Sequence, residues 1–379
     1  MRVVPVTNKS RYVALIAMAL ILVSQPWGQT VLVSIGTWMI FFAAFYDMMK
    51  AFRMRFTRPS AIVLFSILIL SLFSLVAAAG FTYKSFVALF CFWEIPIFLQ
   101  FSTQNITRNF AKKVYYLFLG LATYYLFLAL SPLAFNYKGP YGIVQLSSLT
   151  LGYQNPNQTG MYLLVCFFIL LGATTFFEEM KWKIIYAAAS AVVGILIILT
   201  DSRACILLAI GYTIYYIFFR KNSWPALTAI LTKIAFIIPI AVFVFIIGFQ
   251  QTSQNIQLLG EVFDTGRFAI YTDVFKQYNF MEFVLGSFVE YRYENLHNAY
   301  LSVFATSGIF VVVFFVLFLR GRFLEIHKNV TRCYQQLAYI GLLMLIVHMS
   351  IEAAFFTAGS VYAISVMCLV WISSQKIND

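Results

Sequence analysis

Charge is what this chain has least of. Only 11% of its 379 residues are Asp, Glu, Lys or Arg, while 62% are hydrophobic; soluble domains carry about 25% charged and about 45–50% apolar residues. That leaves too little polar surface for a water-facing exterior, which excludes two soluble domains in spite of the length. The five cysteines are scattered, with neither pair spacing nor the density of a disulfide scaffold, so a thiolate metal site is not expected. A Walker loop, a dinucleotide-binding glycine fingerprint and an HExxH helix are also missing from the sequence. The energy for any chemistry must therefore already reside in the substrate. No internal repeat, soluble domain or disordered tail is visible.

What is present is a series of apolar runs, unusually aromatic, with 41 Phe and 23 Tyr. A helix needs about 20 apolar residues to cross a hydrocarbon core of about 30 Å. Windows of that kind fall near residues 12–27, 29–46, 60–80, 83–101, 114–134, 158–177, 184–200, 203–219, 229–249, 297–319, 337–351 and 353–372, giving twelve candidate spans in one membrane domain, 1–379. The expected fold is an all-α polytopic membrane protein with a long external loop, 250–296, between the ninth and tenth spans. Residues 1–27 have a rival reading as a signal peptide, but Ser24-Gln25-Pro26-Trp27 is a poor small-residue cleavage site and further spans follow.

The basic residues give the orientation. With the N-terminus inside, 20 of the 26 Lys and Arg fall on internal segments, and only Lys84, Lys138, Arg203, Arg267, Lys276 and Arg292 fall outside, the asymmetry of the positive-inside rule. The formal charge of +12 is thereby accounted for by topology and by contact with anionic headgroups of the lipid bilayer. Nothing is left over to argue for nucleic acid.

Three polar clusters share a geometry under this topology. "LGYQNPNQTG" (Leu151 to Gly160) leads into the sixth span, "TDSRACILL" (Thr200 to Leu208) into the eighth and "ENLHNAYLSVFATSG" (Glu294 to Gly308) into the tenth. All three then sit at external helix N-termini, where unpaired N–H groups and the positive end of the helix dipole favour phosphate or another anion. Six helices must begin on that side, so position alone says little. Arg203 and His297 add weight, because positive charge is otherwise scarce there.

Arg203 reads in two ways, as a guanidinium fork for a phosphate or as a snorkelling anchor paired with Asp201. Either Asp201 or Ser202 can cap the eighth span. Arg267, in "EVFDTGRFAIY" (Glu261 to Tyr271), is a second anion clamp or the partner of Asp264. The long loop is acidic overall, so it suits a sugar ringed by hydrogen-bond acceptors better than a polyanion, and its tyrosines suit either carbohydrate or an interfacial belt. His297 can accept a hydroxyl proton near neutral pH, with Glu294 near enough in sequence to orient the ring; the alternative is a histidine that merely caps the helix. Around these groups Asn155, Asn157, Asp201, Asp264, Glu294 and Asn298 are the expected substrate contacts. Glu94, and His348 with Glu352 four residues on, are intramembrane ionisable groups that would fit a transporter, but no repeated polar ladder crosses the membrane.

At these residues the chain resembles the bacterial O-antigen ligase and polysaccharide polymerase family of integral membrane glycosyltransferases. The likeness spans nearly the whole chain in layout and rests on "NPNQTG", "DSRACILLA", "DTGRFAIY" and "LHNAYLSVFATSGIF" in that order. It implies that Arg203 and Arg267 contact a pyrophosphate and that His297 is catalytic. The implied donor and acceptor are oligosaccharides on undecaprenyl pyrophosphate, used without metal or cofactor on the external face of the cytoplasmic membrane, with both termini inside. A flippase and a chain-length regulator are the implied protein partners. Ala204-Cys205 stands where the family often has a Gly-Ala-like pair, and the long loop is modest. "NPN" before a span looks more like a polymerase than a ligase, the reading expected here; the alternatives are a ligase and a transporter.

Overall fold

The computed structural model describes residues 9–55, 59–78, 83–103, 106–139, 142–153, 155–221, 224–248, 257–258, 261–262, 278–287, 298–350 and 360–375. Its helices are α1 (Lys9–Ser24), α2 (Thr30–Arg55), α3 (Pro59–Ala78), α4 (Tyr83–Phe101), α5 (Arg108–Ala129), α6 (Pro156–Phe176), α7 (Met180–Leu199), α8 (Arg203–Phe219), α9 (Pro225–Gly248), the short α10 (Phe280–Leu285), α11 (Ala299–His327), α12 (Cys333–His348) and α13 (Ser360–Ser373). Each of the twelve apolar runs expected from the sequence overlaps one of these helices, the twelfth through residues 360–372, and α10 lies in the loop before the tenth run. Two small antiparallel hairpins accompany the helices: β1 (Asn136–Gly139) with β2 (Gly142–Gln145), and β3 (Gln257–Leu258) with β4 (Glu261–Val262).

Among the described residues, seven stretches are long and apolar enough to cross a membrane: Lys9–Trp27, Thr30–Met49, Ser60–Ala77, Pro156–Phe176, Met180–Leu199, Pro225–Phe245 and Ala299–His327. Four further apolar helices among the described residues are shorter, and α5 carries Arg108, Lys112 and Lys113 in its opening turns. The chain is thus an all-helical, multi-pass membrane protein.

Helix α6 is the centre of the bundle. Of its span 94% is buried, against 28% for α7 and for α9, and it packs on α5, α7, α8, α12 and α13. A helix that is apolar all round can be enclosed in this way without stranding a polar face. Helix α11 lies against α3, α9 and α10.

At the end of the bundle where α4, α11 and α13 finish and α12 begins, buried polar groups tie the helices together. Arg322 of α11 donates from Nε to Leu99 O (3.1 Å) and from a terminal nitrogen to Thr103 Oγ1 (2.8 Å), and also bonds Glu325. Trp371 Nε1 donates to Ser102 Oγ (3.0 Å), and Gln335 Nε2 to Gln375 O (2.7 Å).

The opposite end carries a break in α11. Gly308 has φ 78° and interrupts the helix, and a side chain there would collide with the carbonyl of Val284 in α10. Gly286, with φ 75°, is pressed just as closely on Thr306 and Ser307. Only glycine meets both the conformation and the approach. Carbonyl groups freed by the break are taken up by neighbours: Ser287 N donates to Ala305 O (2.9 Å), Tyr278 Oη to Ala305 O (3.1 Å) and Ser74 Oγ to Ser307 O (3.3 Å). Burial raises the Tyr278 phenol above its ordinary value, which keeps it a donor.

Candidate functional site

The segment before α6 is folded by local chemistry. Leu151 and Gly152 both take positive φ (52° and 80°), turning the chain under the C-terminal end of α1, where Gly152 meets Pro26. Tyr153 is fully buried and donates to Leu22 O (2.9 Å); burial pushes its phenol well above the ordinary range, so it remains neutral. Asn155 caps α6 by accepting from Asn157 N (2.8 Å), with Pro156 at the first helical position, where a missing N–H costs nothing. Thr159 Oγ1 then donates back to Thr150 O (2.7 Å). Asn155, Asn157 and Gln158 remain partly exposed.

The turn before α8 is held to this segment by Leu149 N, which donates to Leu199 O (2.9 Å). Asp201 is exposed with φ 57°, a conformation Asp tolerates better than most. Ser202 occupies the cap position, yet neither it nor Asp201 supplies a side-chain cap, so the first N–H groups of α8 keep their capacity for another acceptor. Arg203 is the first residue of α8. It is exposed and makes no ion pair with Asp201 or any other described residue; the anchoring pair weighed from the sequence is not formed.

Helices α6 and α8 meet at Gly160. A side chain there would come 3.0 Å from Ser202 Cβ and 3.2 Å from both Cys205 Sγ and Thr200 Oγ1, so glycine is what lets the two helix starts touch. Cys205, on the inner side of the same turn, has its sulfur 3.9 Å from His348 Nε2. His348 ends α12, buried, at the same end of the bundle. The residues after it hold the start of α11: Met349 O accepts from Ala299 N (2.8 Å) and Ser350 O from Asn298 Nδ2 (2.6 Å). The starts of α6, α8 and α11, distant in sequence, are thus gathered around the end of α12.

Asn298 was expected to touch substrate. Its side chain is only 1% exposed and is engaged at both ends, the amide nitrogen on Ser350 O and the oxygen on Leu301 N (3.0 Å), so it contributes to the site as a scaffold. Asn155 is both cap and partly exposed surface. The expectations placed on His297, Arg267, Asp264 and Glu294 lie outside the described residues, as does that on Glu352. Glu94 is buried in α4 beside Pro96. It lines a separate cleft of about 210 Å³ with Ser34, Thr37, Trp38, Phe90 and Cys91, shared with none of the three helix starts. Among the described residues no group of three His, Cys, Asp or Glu side chains is placed to hold a metal.

Sequence reasoning missed the part played by Met349 and Ser350, which act through backbone carbonyls that no residue type announces. It also missed the paired breaks at Gly286 and Gly308. Isolated glycines at the edges of apolar runs were the signal, but the two are 22 positions apart and nothing in the sequence pairs them.

No family model, curated protein or solved structure matches this chain.

Proposed function

We propose that the protein is a glycosyltransferase of the external face of the bacterial cytoplasmic membrane, a polymerase that joins undecaprenyl-pyrophosphate-linked oligosaccharide repeats into a surface polysaccharide. In this proposal all twelve apolar helices cross the bilayer, both termini are cytoplasmic and the loop 250–296 is external. The observation that carries it is the gathering of three helix starts beside an exposed guanidinium, Arg203, that has no described ion partner. Helix N-termini and an available arginine make a binding place for a di-anionic leaving group.

In the reaction, His297 removes the proton from an acceptor sugar hydroxyl as that oxygen attacks the anomeric carbon. The bond from that carbon to the pyrophosphate oxygen breaks, and both electrons leave with the pyrophosphate. Arg203 and Arg267 balance the charge that gathers there, and Glu294 orients the imidazole. Asn155, Asn157 and the acidic loop residues, Asp264 among them, bind sugar hydroxyls, while Asp201 flanks the phosphate end. One displacement inverts the anomeric centre. The donor's own pyrophosphate supplies the driving force.

The test is incubation of purified protein with a lipid-linked repeat unit alone. A ladder of products is expected, with H297A folded, able to bind donor and reduced at least about 100-fold in transfer. Transfer of a single glycan to a different lipid acceptor would make it a ligase; movement of the lipid without a new bond would make it a transporter. For the orientation, a cysteine introduced in residues 250–296 is labelled by an impermeant reagent in intact cells, and one in 47–58 is not. The reverse pattern removes the site from the external face.

A further inference from the structure

We infer that Asn298 is a positioning residue, stapling the start of α11 to the end of α12 and so fixing it relative to the arginine-bearing turn of α8. The inference rests on the reading that His297, which precedes Asn298 in the sequence, is the base.

Capping alone does not explain an asparagine here. A cap needs one acceptor for an N–H of the first turn, and Ser, Thr or Asp provides it about as well. The carbonyl oxygen of Asn298 does that work on Leu301 N (3.0 Å). What Asp and Ser lack is a donor of the same reach on the same side chain. Asn298 uses its amide nitrogen for a second bond, to Ser350 O (2.6 Å), and the adjacent Ala299 N donates to Met349 O (2.8 Å). Two parallel bonds therefore join the chain at 298–299 to the chain at 349–350. Ser350 O and Met349 O follow the end of α12, where carbonyls have no partner within the helix.

The other side of this junction is α8. His348, one residue before Met349, lies 3.9 Å from Cys205 Sγ, and Cys205 is two positions beyond Arg203. The last residues of α12 thus stand as a bracket between the two helix starts, with Arg203 on one side and Asn298 on the other. A displacement of about 1 Å between reacting groups can cost about 100-fold in rate, so a bracket with two hydrogen bonds on the α11 side is a means of holding transfer geometry. The substrate need touch neither bond.

Asn298→Ser keeps a capping acceptor and removes the second bond; Asn298→Asp keeps the cap and sets an oxygen against Ser350 O. Both are expected to remain folded, with melting close to the parent, and to bind the lipid-linked repeat unit within about 2-fold, while kcat falls at least about 10-fold at nearly constant KM. In an H297A background Asn298→Ser is expected to lower the residual rate no further, since it acts through the same group. Parent-like kcat in N298S overturns the inference, as does a full additional loss on top of H297A, or loss of folded protein in both variants, which would make the bond purely structural. If H297A itself turns over normally, the base assignment falls, and the staple is then decided by the N298S split between kcat and KM alone.

Discussion

Two arginines at opposite ends of the bundle are used in opposite ways. Arg322 is buried, with its donors placed on Leu99 O, Thr103 and Glu325. Arg203 is exposed at the first position of α8 and meets no described acid, although Asp201 is two residues away. A guanidinium enclosed among helix ends must be satisfied by protein, because an unpaired buried charge costs several kcal/mol. One left in the open beside uncapped helix N–H groups keeps its fork for something from outside. The end at Arg322 is therefore bound together by a buried guanidinium, and the end at Arg203 keeps its guanidinium available.

The strongest way to break that comparison is at Arg322. Arg322→Ala would take the guanidinium away from Leu99 O and Thr103 inside a closed junction while Glu325 stays half exposed, and a loss of about 1–3 kcal/mol is expected. It should be seen as a drop in melting temperature or in the yield of monodisperse protein. Arg322→Lys supplies one point of charge for a planar fork and should recover only part of the loss. A variant with alanine at 322 and parental melting would show that the buried clamp stabilises nothing, and the contrast with Arg203 would lose its first half.

The opposite end is fastened differently, by backbone seated on backbone. Gly308→Ala puts a methyl group into the Val284 carbonyl at a φ of 78°, and a cost of about 1–3 kcal/mol is expected from the strained backbone alone. Gly286→Ala should act similarly from the other side. Since each glycine makes room for the other's chain, the two substitutions together should cost less than the sum of the single losses. Additive thermal shifts would show two independent turns in place of one seat.

The sequence carried the helices and hid their arrangement. Apolar runs name helices because lipid demands them, and each of the twelve runs overlaps a described helix, seven of them long and apolar enough to cross a membrane. Yet α9, the more apolar of the two, is 28% buried in its span and α6 is 94% buried, since a leucine facing lipid is as well placed as one facing protein. Arg322 is legible in the sequence as one of the basic residues that follow the tenth run, but Leu99, 223 positions away, gives no sign of being its acceptor. At the opposite end the three polar clusters were legible, but Asn155, expected as a substrate contact, serves as a cap, and of the two readings of Arg203 the pairing with Asp201 is the one not formed. The link from Cys205 through His348 to Met349 and Ser350 was not legible, because it depends on where α12 stops.

The smallest expected effect on stability, and the most telling, is at Arg203. An exposed side chain without a described ion partner contributes within about 0.5 kcal/mol, so Arg203→Lys and Arg203→Ala should melt with the parent. If the guanidinium grips a pyrophosphate, Lys preserves the charge and loses the two parallel bonds. Donor binding should then weaken modestly in R203K and more in R203A, with transfer falling further than binding in both, because charge on the leaving oxygen grows toward the transition state. A measured donor Kd and a single-turnover rate for each variant separate the two quantities. The anchoring alternative predicts the reverse: a thermal shift comparable with that of Arg322→Ala and transfer lost only in proportion to unfolded protein. Unchanged binding and unchanged turnover in R203A would leave the exposed arginine without a role, and its end of the bundle would then differ from the Arg322 end only in how it is packed.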